Sequence, residues 1–264
     1  MAVNISSANA DLLTPEFSKI FYEQYGALPT MIPRLYDFVE KGPRGDTVKF
    51  SQIGTLADWT EFTGTVPYVT QSQGYDTTLT HKEFVNGFAV QRKLLDDDLY
   101  HIYSGRPKSL ATSYGRIRET HGARPFNNAF SVDTFFYENT EAVALCSNSH
   151  LTTSGASTAT GFDNLVTTAF SATALASIRI QMVQMRGDQA ERIPIAPDEI
   201  LGPPDLYEAV FEVISSMGKV DTAQNNRNVH EGRYTFYEWN YLTDTNNFFV
   251  MDSALRKQYL KWAD

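Results

Sequence analysis

The chain has 264 residues, enough to bury roughly 70–75% of its unfolded surface in one large core or two smaller ones. Its single cysteine, Cys146, excludes an intramolecular disulfide, and its net charge of −9 argues against a protein that grips nucleic acid over its whole surface, because phosphate binding needs clustered Lys and Arg. No stretch approaches the roughly 18 to 20 apolar residues that span a bilayer, and residues 1–10 lack the basic region and apolar run of a secretion signal, so we expect a soluble protein made in the cytoplasm.

Charge is unevenly distributed along the chain. Residues 82–124 carry eight basic against five acidic side chains, whereas the remainder carries fourteen against twenty-six. This middle segment is the one basic face that the sequence offers, although solvated charge on a helix is the simpler interpretation. Aromatic residues make up 13% of the chain, which suits either a well-packed monomer or a subunit with many contacts.

The first predicted element is a short helix within an N-terminal arm. Thr14 suits the N-cap, Pro15 the first helical position and Glu16 the first turn, and apolar residues at 17, 20 and 21 share one face. Gly26 and Pro29 predict its end. The prolines and glycines between 31 and 45 then indicate an extended strap that lies over other parts of the molecule.

Two strand-like runs follow, at 46–54 and 75–90. A Gly-, Thr- and Gln-rich tract that contains Trp59, Phe62 and Tyr68 separates them, so the pair predicts a long two-stranded excursion. An isolated hairpin is at best marginally stable in water. The excursion therefore lies either on a neighbouring molecule or, as an ordinary edge hairpin, over the chain's own core, and the sequence leaves both open.

A long, broken helix is predicted next. Apolar residues recur at 95, 99 and 102 within 91–104 and resume the same spacing at 110, 114 and 117. Gly105, Arg106 and Pro107 are expected to interrupt it. Residues 130–145 then alternate weakly, as a strand pair would.

A polar passage, LCSNSHLTTSG at 145–155, follows. Between Glu141 and Asp163 there is no Asp, Glu, Lys or Arg, and Ser, Thr, Gly and Asn dominate, which is the composition of a loop. We interpret it as a linker between two structured halves.

The second half predicts two helices and two strands. Asp163 is the expected N-cap of a helix that Gly187 ends, and Pro203 and Pro204 begin another that Gly218 ends. Residues 233–242 alternate with Tyr237, Trp239 and Tyr241 on one face, 243–247 turn, and 248–252 return. Helices interleaved with strands indicate an α+β chain in at least two parts.

Motifs for chemistry are scarce. The signatures of common hydrolases, dinucleotide enzymes, P-loop proteins and zinc proteases are missing. Cys146 and His150 are four residues apart and suit two metal ligands or a thiol and its base, but no second pair completes a ligand set, so a buried thiol beside a loop histidine is the simpler interpretation. We expect no catalytic, cofactor-binding or metal site.

Other charged and aromatic clusters have simple interpretations too. The acidic run at 96–98 points in divergent directions on a helix and cannot converge on one ion. His81 with Glu83, and the arginines at 116, 118 and 124, are expected at the surface or in interfaces. The aromatic stripe at 237–241 suits base stacking, yet Arg233 is its one nearby cation, so we expect core or subunit interface.

Taken in order, these pieces resemble the major capsid proteins of tailed bacteriophages. The resemblance is carried by the arm, the protruding hairpin and the long helix, then by LCSNSH at 145–150, IAPDEILGPP at 195–204 and WNYLTDTNNFFVMD at 239–252. It covers nearly the whole chain; its individual motifs are loose, but their order is specific. Bacterial encapsulins share this fold.

The resemblance implies an α+β capsid fold with five parts. These are an N-terminal arm at 1–45, an extended β-hairpin loop at 46–89, a peripheral domain with the spine helix at 90–149, an axial domain at 150–252, and a return to the peripheral domain at 253–264. Such proteins usually continue further, so we expect a truncated chain or a shorter natural variant. No scaffolding segment is evident at the N-terminus, so a separate scaffolding protein is expected.

The resemblance also implies the function. The expected protein is a non-enzymatic capsid subunit that forms pentamers and hexamers of an icosahedral head around double-stranded DNA. Its expected partners are copies of itself, a scaffolding protein, a portal, a decoration protein and DNA bound without sequence specificity, with no membrane. Its location is the virion, after assembly in the cytoplasm of a bacterial host. An encapsulin-like compartment shell, an uncharacterised enzyme that uses Cys146 and His150, and a single-strand nucleic-acid binder are the alternatives.

Overall fold

The computed structural model describes residues 10–39, 46–90, 93, 105–218 and 227–263. The chain divides into two compact units, one of Met1–Arg34 with Glu83–Gly122 and one of Leu35–Lys82 with Ala123–Asp264. The described residues of the first unit form helices, and the second unit combines helices and strands, as predicted for an α+β chain. None of the described helices is both long enough and apolar enough to cross a bilayer.

The first unit pairs two long helices, α1 (Ala10–Ala27) and the first part of α3 (Gly105–Asn127); a short α2 (Ile32–Leu35) leads into the second unit. Tyr25 and Tyr114 pack with ring centroids 5.2 Å apart. The buried carboxylate of Glu119 accepts hydrogen bonds from Thr30 Oγ1 at 2.5 Å and from the Met31 amide at 3.1 Å. The segment after α1 is therefore held against α3 by both apolar and polar contacts.

The bounds of these helices differ from the predicted ones. α1 begins at Ala10, before the predicted cap at Thr14. Residues 105–107, the predicted interruption, belong to α3. Pro107 lies in the first described turn of that helix. Apart from residue 93, the predicted helical residues 91–104 lie outside the described residues.

The second unit contains the predicted hairpin. β2 (Thr47–Ile53) and β3 (Gln73–Thr80) pair antiparallel, and β4 (Tyr137–Asn139) adds to the other edge of β3, in the order β2-β3-β4. Pairing ends at Thr80, where the Thr80 amide donates to the Phe136 carbonyl at 2.7 Å, so the second strand does not continue to residue 90 as predicted. β4 is likewise the only strand within 130–145, where a strand pair was predicted.

A second sheet forms the centre of this unit. β5 (Glu199–Gly202) is buried along its length and lies between β6 (Thr235–Glu238), which runs parallel to it, and β7 (Phe249–Met251), which runs antiparallel. From the sequence we predicted that the chain turns at 243–247 and returns as a strand, but not that β5 lies between β6 and β7. α4 (Ala172–Val183) and α5 (Tyr207–Ser215), the latter after a 3₁₀ turn at Pro204–Leu206, supply the core with Leu175, Val210 and Val213 around Ile200.

The predicted start of α4 at Asp163 was wrong. The N-cap is Ser171, whose hydroxyl accepts a hydrogen bond from the Ala174 amide at 3.1 Å. Residues before it stay irregular because Asn164 binds the polar passage instead. Its side chain accepts from the Ser147 amide at 2.7 Å and donates to the Leu145 carbonyl at 2.8 Å.

The end of the chain is tied into this unit by a buried ion pair. Arg256, in α6 (Ser253–Tyr259), donates Nε to Glu199 at 2.5 Å and Nη2 to the same carboxylate at 2.9 Å, and it also donates to the Leu35 carbonyl. β8 (Lys261–Trp262) then pairs parallel with β1 (Asp37–Phe38). One arginine thus joins Leu35 of the arm, the central strand and the last helix.

Candidate assembly surface

The connection between β2 and β3 is the most exposed apolar segment that the structure describes. Every residue from 55 to 71 is solvent-exposed. Trp59 and Tyr68 are fully or almost fully exposed, at 102% and 94%. Four further large apolar side chains of this loop are also exposed: Leu56, Phe62, Val66 and Val69. Contiguous exposed apolar surface of this kind marks an interaction site, because water contact with it is unfavourable. We call residues 55–71 the hairpin loop.

The base of the hairpin loop is closed by the backbone. The Gly54 amide donates to the Ser72 carbonyl at 2.8 Å. A Cβ atom at position 54 would lie 2.8 Å from Asp188 Oδ2 and 2.9 Å from Ser72 Oγ, so a side chain cannot be accommodated there without movement. Glycine at this position therefore allows the two ends of the loop to approach Asp188.

Asp188 connects the loop base to the polar passage. Its Oδ1 accepts from the Thr153 amide at 2.6 Å, from the Thr153 hydroxyl at 3.0 Å and from the Ser154 amide at 3.2 Å, and its Oδ2 accepts from the Ser72 hydroxyl at 3.0 Å. Burial alone would raise the pKa of this carboxyl, but these hydrogen bonds, first those from the two backbone amides, hold it below its ordinary value. The carboxylate is thus fixed in its charged form.

A cleft of about 440 Å³ lies beside this base, lined by residues that include Gly54, Gly74, Thr153, Arg186 and Asp188. Protein donors already occupy both carboxylate oxygens of Asp188. Within the described residues there is no group of His, Cys, Asp and Glu side chains that could hold a metal ion.

Cys146 and His150 do not form a thiol and base pair. Burial raises the pKa of the Cys146 thiol to about 11, so little thiolate exists near neutral pH. His150 directs Nδ1 to Glu141 Oε1 at 3.1 Å, and the same oxygen accepts from the Leu151 amide at 2.8 Å. This geometry fixes the polar passage and gives no support to the Cys/His enzyme alternative.

The charged residues singled out in the sequence do not form one cluster in the part of the chain that the structure describes. Residues 96–98 lie outside the described residues, and His81 and Glu83 are both exposed. Arg118 donates to the Tyr25 hydroxyl, whereas Arg124 forms a bidentate pair with Asp133 at 2.7 and 2.9 Å.

The aromatic stripe is largely internal. Trp239 is 2% exposed and packs edge-on against Phe126, with centroids 6.2 Å apart. Tyr237 directs its hydroxyl to Glu199 at 3.3 Å. Trp239 therefore belongs to the core, one of the two predicted places, and Tyr237 and Tyr241 are half-buried beside it. Sequence reasoning missed Asp188 entirely, because no local pattern marks a residue whose partners are far away in the chain.

Comparison with solved structures finds a similar fold in the capsid of bacteriophage JBD30. A chain of the JBD30 capsid matches with a TM-score of 0.61 at 11% identity, over 82% of this chain and 92% of that chain. A chain of the JBD30 procapsid matches with a TM-score of 0.54 at 13% identity, over 89% and 100%. A chain of the JBD30 capsid decorated with minor capsid protein trimers gives 0.52 at 13% identity, over 82% and 92%.

No protein-family model matches the sequence, and no curated protein matches it either. The likeness is therefore one of fold, held at low sequence identity over most of the chain. It confirms the predicted fold class, with its mixture of helices and sheets in the arrangement of a capsid subunit. The chain has the fold of the bacteriophage capsid proteins.

Proposed function

We propose that this chain is a structural capsid subunit that assembles with copies of itself. In this proposal identical subunits form pentamers and hexamers, which close into an icosahedral head around double-stranded DNA. The observation that carries it is the capsid fold, shared with JBD30 capsid and procapsid chains over 82–89% of this chain. The exposed apolar hairpin loop supplies a surface for a neighbouring subunit.

The physical basis is distributed burial. Covering one large apolar side chain such as Trp59, Phe62 or Tyr68 contributes roughly 1.5–3 kcal/mol, and ordering the loop offsets part of it. Head-to-tail contacts of this kind build closed rings when the rotation closes. Many modest contacts, repeated around each ring, then stabilise a shell without one dominant interaction.

The same proposal assigns the parts of the chain. Residues 1–45 act as the arm, 46–89 as the extended loop, 90–149 and 253–264 as the peripheral domain, and 150–252 as the axial domain. A scaffolding protein, a portal and a decoration protein are its proposed partners, the last in keeping with the minor capsid protein trimers on one JBD30 capsid. The subunit acts in the virion after assembly in the bacterial host cytoplasm, and its role is structural rather than catalytic.

Electron microscopy with light scattering tests the proposal. The full chain is expressed alone and together with its genomic neighbours, and particles are then examined for symmetry and contents. Closed shells or rings that hold nuclease-protected DNA support a phage head. Shells that instead hold a protein cargo would indicate an encapsulin-like compartment, and a monodisperse monomer in every combination would contradict the assembly role.

A further inference from the structure

One face of α3 combines cations and hydroxyl groups without an acidic side chain. Glu119 is the helix's only acidic residue, and it is 5% exposed and bound to Thr30 and Met31. The exposed polar residues of the helix are Arg106, Lys108, Ser109, Thr112, Arg116 and Thr120. Lys108 and Arg116 share one side of the helix, whereas Arg106 lies about 160° around the axis from Lys108. We call Lys108 and Arg116 the basic face of α3.

Helical geometry places Lys108 and Arg116 along one side, together with the hydroxyl side chains of Thr112 and Thr120. Positions 108, 112, 116 and 120 recur every four residues, which keeps them within one sector of an α-helix. Lys108 and Arg116 are therefore about 12 Å apart along the helix axis, since each residue rises about 1.5 Å. The phosphates of one DNA strand repeat about every 3.4 Å along the duplex axis, so this span matches three or four of them.

Neither Lys108 nor Arg116 has a counter-charge among the described residues. Two other arginines of the helix differ, because Arg118 donates to Tyr25 and Arg124 is paired with Asp133. Exposed cations without an ion-pair partner stabilise the fold no more than uncharged polar residues would. Their positive charge is therefore available to a ligand.

The composition of this face suits phosphate better than a protein partner. The centre of a protein interface is apolar, whereas protein–DNA interfaces are polar and strongly positive. The two exposed apolar residues of the helix, Tyr114 and Ile117, lie about 160° and 100° around the axis from Arg116, away from the row.

The hydroxyl groups on this face are already committed to the helix backbone. Ser109 donates to the Gly105 carbonyl at 3.0 Å, Thr112 to Lys108 at 3.0 Å and Thr120 to Arg116 at 2.9 Å. The cations are therefore the donors that this face offers to an anion. Small hydroxyl side chains between them leave room for a phosphate backbone to approach closely.

We propose that the basic face of α3 binds the phosphate backbone of packaged double-stranded DNA without sequence preference. The inference rests on the proposed function and identifies the subunit surface that its DNA contacts. The chain as a whole carries a charge of −9, so most of its surface repels DNA. Contacts limited to this row would hold the outer layer of DNA weakly and repeatedly, once per subunit.

Fluorescence anisotropy with the unassembled full-length subunit tests the proposal. The probe is a short labelled duplex of mixed sequence, titrated at several salt concentrations. The variant K108Q/R116Q removes the basic face and leaves the fold intact, because both side chains are exposed. Its control, R233Q/K257Q, removes the same charge from exposed positions of the other unit.

The wild type should bind the duplex, with log affinity falling linearly against log salt. The α3 variant should bind roughly tenfold more weakly or worse, with a slope reduced by about 2, since each phosphate contact contributes about 0.9. The control variant should stay within about twofold of the wild type, because its cations lie off the proposed path. No wild-type binding, or equal losses in the two variants, would overturn the proposal.

A third outcome separates this inference from the assembly role. Shell formation by the same variants is scored independently by electron microscopy. If the α3 variant binds DNA as the wild type does but no longer forms shells, the basic face contacts another subunit, such as an acidic segment of its hairpin loop, and the DNA proposal is wrong. If the wild type binds DNA through this face but never assembles, the proposed function fails while this inference stands.

Discussion

Replacing the two most exposed aromatic side chains of the hairpin loop should separate assembly from folding. In the variant W59S/Y68S, both positions are almost completely accessible in the folded subunit, at 102% and 94%. Exposed substitutions away from caps and strained positions usually change the free energy of unfolding by no more than about 0.5 kcal/mol. The midpoint of urea unfolding should therefore not move.

Association should change strongly by contrast. If each aromatic side chain is covered by a neighbouring subunit, its loss removes roughly 1.5–3 kcal/mol of burial per contact. That corresponds to a roughly 10- to 150-fold weaker contact for each residue, because about 1.4 kcal/mol is a factor of ten. Since every subunit in a ring repeats the loss, the concentration needed for shells should rise far beyond that of the wild type.

Light scattering across a protein dilution series, with electron microscopy of each sample, measures this. The matched control is T60A/T65A, which alters two exposed residues of the same loop without removing a large apolar side chain. The control should assemble as the wild type does. Normal shells from W59S/Y68S at wild-type concentrations, or a parallel loss in the control, would refute the reasoning that apolar burial of this loop drives assembly.

Three further predictions concern the fold itself. Arg256→Met should lower the free energy of unfolding, measured by urea titration, by about 3–5 kcal/mol, because it leaves Glu199 charged and buried. The double variant R256M/E199L removes that buried charge and should recover most of the lost stability. Equal losses in the two variants would contradict this explanation. Asp188→Asn should destabilise the subunit at pH 6 and progressively less as the pH falls below 3.8, since a carboxyl whose folded pKa is lowered from that value stabilises fully above it and loses its contribution as the pH falls through the folded pKa; a loss of stability that does not change with pH would contradict this. In the native subunit Cys146 should react with a thiol reagent about a hundredfold more slowly than an ordinary cysteine, because its pKa is raised from 9.0 to about 11, and reaction at the normal rate would show that it is exposed.

Local patterns predicted the elements whose signals are local. Pro203 and Pro204 mark the start of the 3₁₀ turn and α5, since a proline suits the first position of a helix. Alternation predicted the pairing of β2 with β3 and the presence of β6 and β7. The order of these pieces was sufficient to predict the capsid fold, which the structural comparison confirms.

Local patterns failed where a contact distant in sequence decides the local structure. Asp163 was predicted as the N-cap, but serine is as good an N-cap residue as aspartate. The structure selects Ser171 because Asn164 is already bound to the backbone of the polar passage at Ser147 and Leu145, which keeps the intervening segment irregular. A tertiary contact thus decided where a helix begins.

What tertiary structure alone decided are the contacts between distant residues. Glu199 and Arg256 lie 57 positions apart, and Ser72 and Asp188 lie 116 apart, yet both pairs are hydrogen-bonded. The insertion of β5 between β6 and β7 belongs to the same class. By itself the sequence determined the alternation of apolar and polar residues, the helix caps and the turns, because these depend on neighbours within a few positions. Three features depend instead on which distant segments pack together in the folded chain: the buried ion pair, the support of the hairpin loop and the strand order. Nearness in sequence carries no information about such contacts.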